Sequence, residues 1–193
     1  MIDEAIDDPQ VHANEMVVEL DDPEVGPMLQ MGLPIKLSST PGIPKGPRSS
    51  VMNKPDQNLF TTARSVPEGK YSSSHNREIF DPPLHGIKIL EVTNLIAGPT
   101  AGKLLADLGA DVIKLEPLKG DISRPLNRTY FFHLNSNKRS LSVDTRTTGG
   151  REIAQNAASE ADVLLANLRP GATCRMGIGI ERLKQRNPGL IET

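Results

Sequence analysis

The sequence predicts an α/β fold, an open parallel sheet with helices on both faces. Two observations in the second half carry that expectation. Apolar runs of strand length alternate with stretches of helical period, and Gly or Pro punctuates nearly every change between them. The runs are also nearly continuous in apolar residues, the pattern of strands covered on both faces.

The first strand is GIKILEV (86–92), with Ile87, Ile89, Leu90 and Val92. TNLIAGP turns the chain into TAGKLLADLG (100–109), which puts Ala101, Leu104, Leu105 and Leu108 on one helical face and Gly109 at its end. DVIKLE (111–116) is a second strand, which completes a unit the size of a βαβ motif. The theme repeats with strand SLSVD (140–144), helix TTGGREIAQNAASEA (147–161) and strand DVLLAN (162–167). A helix at about 180–186 ends at Asn187-Pro188, and LIET (190–193) opens a further strand, so the sheet is expected to be incomplete at the C-terminus.

The first half reads differently. MVVEL (16–20) is β-rich and residues 21–27 can only turn, while Pro34 and Pro41 confine any strand at 28–42 to an edge. Residues 45–83 are rich in Ser, Pro, Asn and Lys, with neither period, and read as an exposed linker. The chain is therefore expected to divide into a β-rich segment 1–44, a linker 45–83 and an α/β part 84–193.

Composition excludes several roles. Of 193 residues, 3% are aromatic and none is Trp, so there is little to stack nucleic-acid bases. Residues 1–80 hold 7 Lys or Arg against 12 Asp or Glu, and residues 81–193 hold 15 against 12, too thin a surplus for a nucleic-acid footprint. The acidic start argues against membrane adhesion and lacks the features of a secretory signal, so a cytoplasmic location is expected. Cys174 stands alone, and His12, His75, His85 and His133 have no ligand spacing; no metal site is expected.

Ligands of such sheets gather at the carboxyl ends of the strands. The candidates there are Asn94–Pro99, Glu116-Pro117, Thr145 and Asn167–Gly171. Lys138, Arg139, Arg169 and Arg175 are expected to add positive charge to this face, a surface suited to phosphate. Ala97 and Gly98 would let a ligand approach the backbone. A nicotinamide-dinucleotide site is disfavoured: Glu116 fits the acid it needs, but Ala97-Gly98-Pro99-Thr100-Ala101-Gly102 lacks the three glycines and Pro99 lacks an amide hydrogen. Plainer roles stay open: Arg175 bridging to a surface acid, Lys138-Arg139 as a solvated pair, Asn94 and Asn167 satisfying loop backbone. No nucleophile–base pair is visible.

Four stretches, PLHGIKILEVTNLIAGPTAGKLLADLGADVIKLEP, FFHLNSNKRSLSVDTRTTGGREI, ADVLLANLRPGATCRMGIG and LKQRNPGLIE, resemble the N-terminal part of the CoA-transferase family III in order and spacing. Residues 10–44 resemble the C-terminal end of the same family. The reversed order is expected of a junction in a tandem fusion of two such units. The resemblance implies a Rossmann-like domain, coenzyme A as co-substrate, and an acyl-CoA and a carboxylic acid as partners. It also implies a homodimer or a pseudo-dimer of fused halves. CoA passes in this family through a thioester on an enzyme Asp, which would fall beyond Thr193, so no catalytic residue is assigned. The CoA contacts carried over are Leu95, Ile96, Ala97, Val143, Thr145, Asn167, Leu168, Arg175 and Met176. Ile96 and Pro117 depart from the formyl-CoA transferase pattern, which has Gln and a CoA-contacting Arg there. A 2-methylacyl-CoA racemase and a non-catalytic connector are the alternative readings.

Overall fold

The computed structural model describes residues 6–22, 25–42, 44, 60, 81–126 and 128–193. The β-rich start is a short helix, α1 (Pro9–Ala13), followed by strands β1 (Val17–Asp22) and β2 (Gly26–Met31). Asp8 caps α1 by accepting from the Gln10 amide at 2.7 Å. The strands pair antiparallel from Val17↔Met31 to Asp22↔Gly26, so Asp21, Asp22, Gly26 and Pro27, expected to lie in a turn, belong to the strands.

Most of the stretch expected to be a linker lies outside the described residues. Phe60 does not; it is 5% exposed, with the cations of Lys88 and Arg139 at 5.9 and 5.7 Å from its ring centroid.

The α/β part is the expected parallel sheet. Its strands are β3 (Lys88–Val92), β4 (Asp111–Glu116), β5 (Arg139–Ser142), β6 (Val163–Ala166) and β7 (Ile191–Glu192), in the spatial order β5-β4-β3-β6-β7. All neighbours in it run parallel. The chain builds outward from β3 to β5 and then returns to β6 on the other side of β3. The carboxyl ends of β3 and β6 therefore flank a topological switch point, where open sheets bind ligands.

Helices α2 (Ala97–Asp107), α3 (Ser123–Leu126), α4 (Arg128–Asn135), α5 (Thr148–Glu160), α6 (Ala172–Arg175) and α7 (Ile180–Lys184) surround the sheet. Strand alternation divides the two faces. Leu90, Val92, Ile113, Leu115, Leu141 and Leu164 pack with Ala154, Ala157 and Ala158 of α5 and Leu183 of α7. Ile89, Val112 and Leu165 meet Ala101, Leu105 and Ala106 of α2 on the opposite face. On that second face the alternation also places Glu91, Lys114, Glu116 and Ser140, all buried.

That polar content corrects the amphipathic reading of α2. Its buried residues are Gly98, Pro99, Gly102, Lys103, Ala106 and Asp107, whereas Leu104 and Leu105 are half-buried. The helix is covered on two sides, by the sheet and by α4, so one apolar stripe does not describe it. Lys103 and Asp107 are ion-paired within it, and Asn137 donates to both Ala106 O (3.0 Å) and Asp107 (3.2 Å). Burial raises the Asp107 pKa despite the Lys103 ammonium. The helix also starts three residues earlier than expected, with Pro99 in its first turn, where a missing amide hydrogen does no harm.

The hairpin docks on α4. Gln30, 3% exposed, reaches the carbonyls of Phe132 (3.5 Å) and His133 (3.1 Å) and the Ser136 hydroxyl (2.6 Å) with its amide nitrogen.

Candidate functional site

The crevice at the switch point is built by two short segments. After β3, Thr93–Ile96 leads into α2; after β6, Asn167 begins the loop to α6. Asn167 bridges them, accepting from the Asn94 amide at 2.8 Å and donating to the Asn94 carbonyl at 2.9 Å. Its side chain thus serves loop backbone, the plainer of the two roles open in the sequence. Leu95 stands at φ 65, a left-handed conformation that costs a branched residue roughly 1–3 kcal/mol. The Leu95 and Ile96 side chains are 51% and 57% exposed, and Ala97 is exposed beside them. No side chain caps α2, so the amides of its first turn face the crevice without a partner from a capping group.

The other candidates lie along the same edge of the sheet. Thr145 is half-buried past β5, and Arg175 is exposed on α6. Val143 is 6% exposed and donates its amide to Glu116 O at 2.9 Å. Leu168 and Met176 pack against the α5–α7 core. The Val143 side chain is buried, and those of Leu168 and Met176 are half-buried against the core.

Three expectations need correction. Arg139 opens β5 and Lys138 precedes it, so both start from the amino end of that strand. Arg139 pairs with Asp111 at the start of β4, Nε to Oδ1 at 2.9 Å, and Lys138 is 2% exposed; neither is a solvated cation on the crevice face. Gly98 is small for the protein's sake, since a Cβ there would lie 2.4 Å from Thr93 Cβ. Glu116, which ends β4, is held by Arg124 at 2.6 and 2.7 Å, by Ser140 at 2.6 Å and by the Asp121 amide at 2.8 Å. Burial raises its pKa, but those hydrogen bonds and the Arg124 charge outweigh burial and hold it below the usual range. Arg124 also lies 4.1 Å from the centroid of the Phe131 ring, which ties α3 to α4.

Arg146 is not among the sequence candidates. It comes directly after Thr145 on the same edge, 88% exposed and paired with Asp144 at 2.8 Å. Scanning for cations just past each strand's carboxyl end would have found it.

Beneath the crevice lies a buried charge cluster that the strand pattern did not disclose as such. Lys114 Nζ meets Glu91 Oε1 at 2.9 Å, Asp121 Oδ2 at 3.0 Å and Thr93 O at 2.8 Å. Lys138 Nζ meets Glu91 Oε2 at 2.7 Å, Pro99 O at 2.7 Å and Asn135 Oδ1 at 3.2 Å. A cavity of about 10 Å³ between Lys114, Asn135, Lys138 and Ser140 has room for roughly one water. Among the described residues no group of His, Cys, Asp and Glu is arranged to hold a metal, and no helix is long and apolar enough to cross a membrane.

The fold defines the class, an open parallel-sheet protein with a topological switch point between β3 and β6. The profile of CoA-transferase family III matches residues 1–49 and 84–193, and the chain belongs to that family. Formyl-CoA:oxalate CoA-transferases of Escherichia coli O6:H1 and of Shigella boydii serotype 18 are 43% identical to it over 117 residues, which cover 56% of this chain and 28% of theirs. A hypothetical protein of Mycobacterium tuberculosis superposes with TM-score 0.56 at 41% identity, over 57% of this chain and 32% of its own. A CAIB/BAIF family protein of Brucella suis gives TM-score 0.55 at 40% identity over the same shares. The chain spans about 28% of the length of the curated relatives it matches.

Proposed function

We propose that this chain serves in the transfer of coenzyme A between an acyl-CoA and a free carboxylic acid, and that residues 84–193 form much of the CoA-binding domain. The observation that carries the reading is the switch-point crevice, with exposed Leu95, Ile96 and Ala97 on one side and the Asn167–Arg175 loop on the other. Exposed Arg175, on α6, offers the positive charge that a phosphate-bearing ligand requires. By family resemblance Leu95, Ile96, Ala97, Val143, Thr145, Asn167, Leu168, Arg175 and Met176 contact CoA.

The nucleophile is an aspartate outside these 193 residues, which becomes an aspartyl-CoA thioester in turnover. Acids near the crevice are otherwise engaged: Glu91 and Asp121 by lysines, Glu116 by Arg124, Asp144 by Arg146. Residues 1–44 act as the C-terminal segment of one unit of a tandem cytoplasmic enzyme, and the Gln30 contacts with α4 support their packing on the next unit. The parent is a dimer or a pseudo-dimer of fused halves.

Titration calorimetry of the chain with free CoA tests the reading. Binding is expected, and Arg175→Ala should raise Kd about tenfold, the effect of losing one charge-assisted hydrogen bond to phosphate. No heat with CoA, or an unchanged Kd in the variant, overturns it. The 193 residues alone should not move CoA from an acyl-CoA to a free acid; label exchange between them would contradict the missing nucleophile.

A further inference from the structure

The turn from Thr93 to Pro99 carries a left-handed Leu95 and shows two large apolar side chains to solvent. Packing from above does not hold it, and its own dihedral strain favours other conformations. Asn167 holds one point, Asn94. Both ends are held from beneath by the charge cluster. Lys114 Nζ binds Thr93 O at 2.8 Å and Lys138 Nζ binds Pro99 O at 2.7 Å, while the two oxygens of Glu91 tie these ammoniums together. Asp121 adds an ion pair to Lys114 at 3.0 Å, and Asn135 Oδ1 accepts from Lys138 at 3.2 Å, so each ammonium is held by both charge and hydrogen bonds. Gly102 keeps the space open, because a Cβ there would lie 2.0 Å from Glu91 Oε2 and 3.1 Å from Lys138 Nζ.

We propose that Lys138, coupled to Lys114 through Glu91, is a positioning residue that clamps the Thr93–Pro99 turn in its ligand-binding conformation. The cluster is a poor source of stability, because desolvating two lysines and two carboxylates cancels most of their attraction. What it supplies is a fixed separation between two backbone carbonyls at the ends of a strained turn. The inference rests on the CoA reading for what the turn binds, but not for the clamp itself.

The clamp is also sensitive to pH. Lys138 is faced by Glu91 of β3, Lys114 of β4, Asp121 of the following loop, Asn135 of α4, and Pro99 O and the Asp107 carboxylate of α2. Burial outweighs the Glu91 attraction, and Lys114 adds repulsion, so the Lys138 pKa falls to about 8. Above that pH the amine loses its ion pair and the turn loosens.

Two measurements on the full chain test this. In hydrogen exchange at pH 7 without ligand, Lys138→Met should speed exchange of residues 94–98 about tenfold, with β6 unchanged. In calorimetry with free CoA, the variant should bind about tenfold more weakly at pH 7. Wild-type Kd should rise relative to the variant's between pH 7 and 9. A core lysine that is merely structural would give no such pH difference. Should Lys138→Met fail to fold, the charge-balanced pair Glu91→Gln with Lys138→Met takes its place in both measurements. Exchange at 94–98 equal to wild type overturns the clamp. Equal CoA affinity with an equal pH profile does so as well. If wild type binds no CoA, the CoA reading fails and the exchange result alone decides the clamp.

Discussion

Gly102 sits inside α2, where alanine is ordinarily the better helix former by about 1 kcal/mol. Propensity alone therefore predicts that Gly102→Ala stabilises. The Cβ, however, would stand 2.0 Å from Glu91 Oε2, and Glu91 is 0% exposed with each oxygen on a lysine. The carboxylate cannot retreat without uncoupling both ammoniums, so overpacking, typically about 1–3 kcal/mol, exceeds the propensity gain. Urea unfolding should show Gly102→Ala less stable than wild type by roughly 1–2 kcal/mol; a gain would mean that the cluster can move aside. This residue also marks a limit of sequence reading. Gly98 looks like an opening for a ligand, yet the group it admits is Thr93 from the chain itself, and Gly102 makes room for Glu91. Likewise Lys138 and Arg139 read as surface cations, because nothing in their spacing names the acids that meet them from β3 and β4.

The strands and the longer helices were legible because period and length set them apart. SLSVD and DVLLAN each mark the observed strand to within two residues, and α5 starts one residue after the expected point, with Thr147 as its cap. The short helices α1, α3 and α6 were missed, and the longest missed element is α4. Phe131, Phe132 and Leu134 are 1%, 5% and 5% exposed, and Asn135 is buried beside them, so α4 is covered almost all round and shows no amphipathic stripe. Part of that cover is the β1–β2 hairpin, held by Gln30 on carbonyls near the end of α4, where the helix lacks partners of its own. Gln30→Ala should cost about 1–2 kcal/mol locally, from buried acceptors left without a donor. In hydrogen exchange the loss should appear in β1, β2 and the end of α4, with the central strands β3 and β6 unchanged. Equal acceleration throughout would mean that the hairpin and sheet unfold as one unit.

Across the whole molecule, the buried ionisable groups give stability a pH dependence whose direction can be worked out group by group. Glu116 and Asp121 lie below their ordinary values of 4.5 and 3.8, so they contribute stability above those values that is lost as pH falls through the folded pKa. Asp107 is raised, so between 3.8 and its folded pKa the native state holds the extra proton, and stability falls as pH rises through that window. His133 is lowered by burial and then by Lys103, so acid below 6.5 favours the unfolded chain, whose histidine takes the proton more readily. Lys138 acts in the same sense at the alkaline end. Between about 8 and the ordinary value of 10.5 the unfolded lysine keeps a proton that the folded one has released, so stability rises with pH there. Wild-type stability, measured by urea unfolding relative to Lys138→Met, should therefore climb from pH 8 to 10. Over the same range the proposed clamp weakens and CoA affinity drops. Stability and ligand affinity moving in opposite directions separates a positioning charge from a stabilising one, because a lysine present for stability would lose both together. If the difference between wild type and variant is flat across that range, folding does not lower the Lys138 pKa, and the ammonium keeps its ion pair and its hold on the turn throughout.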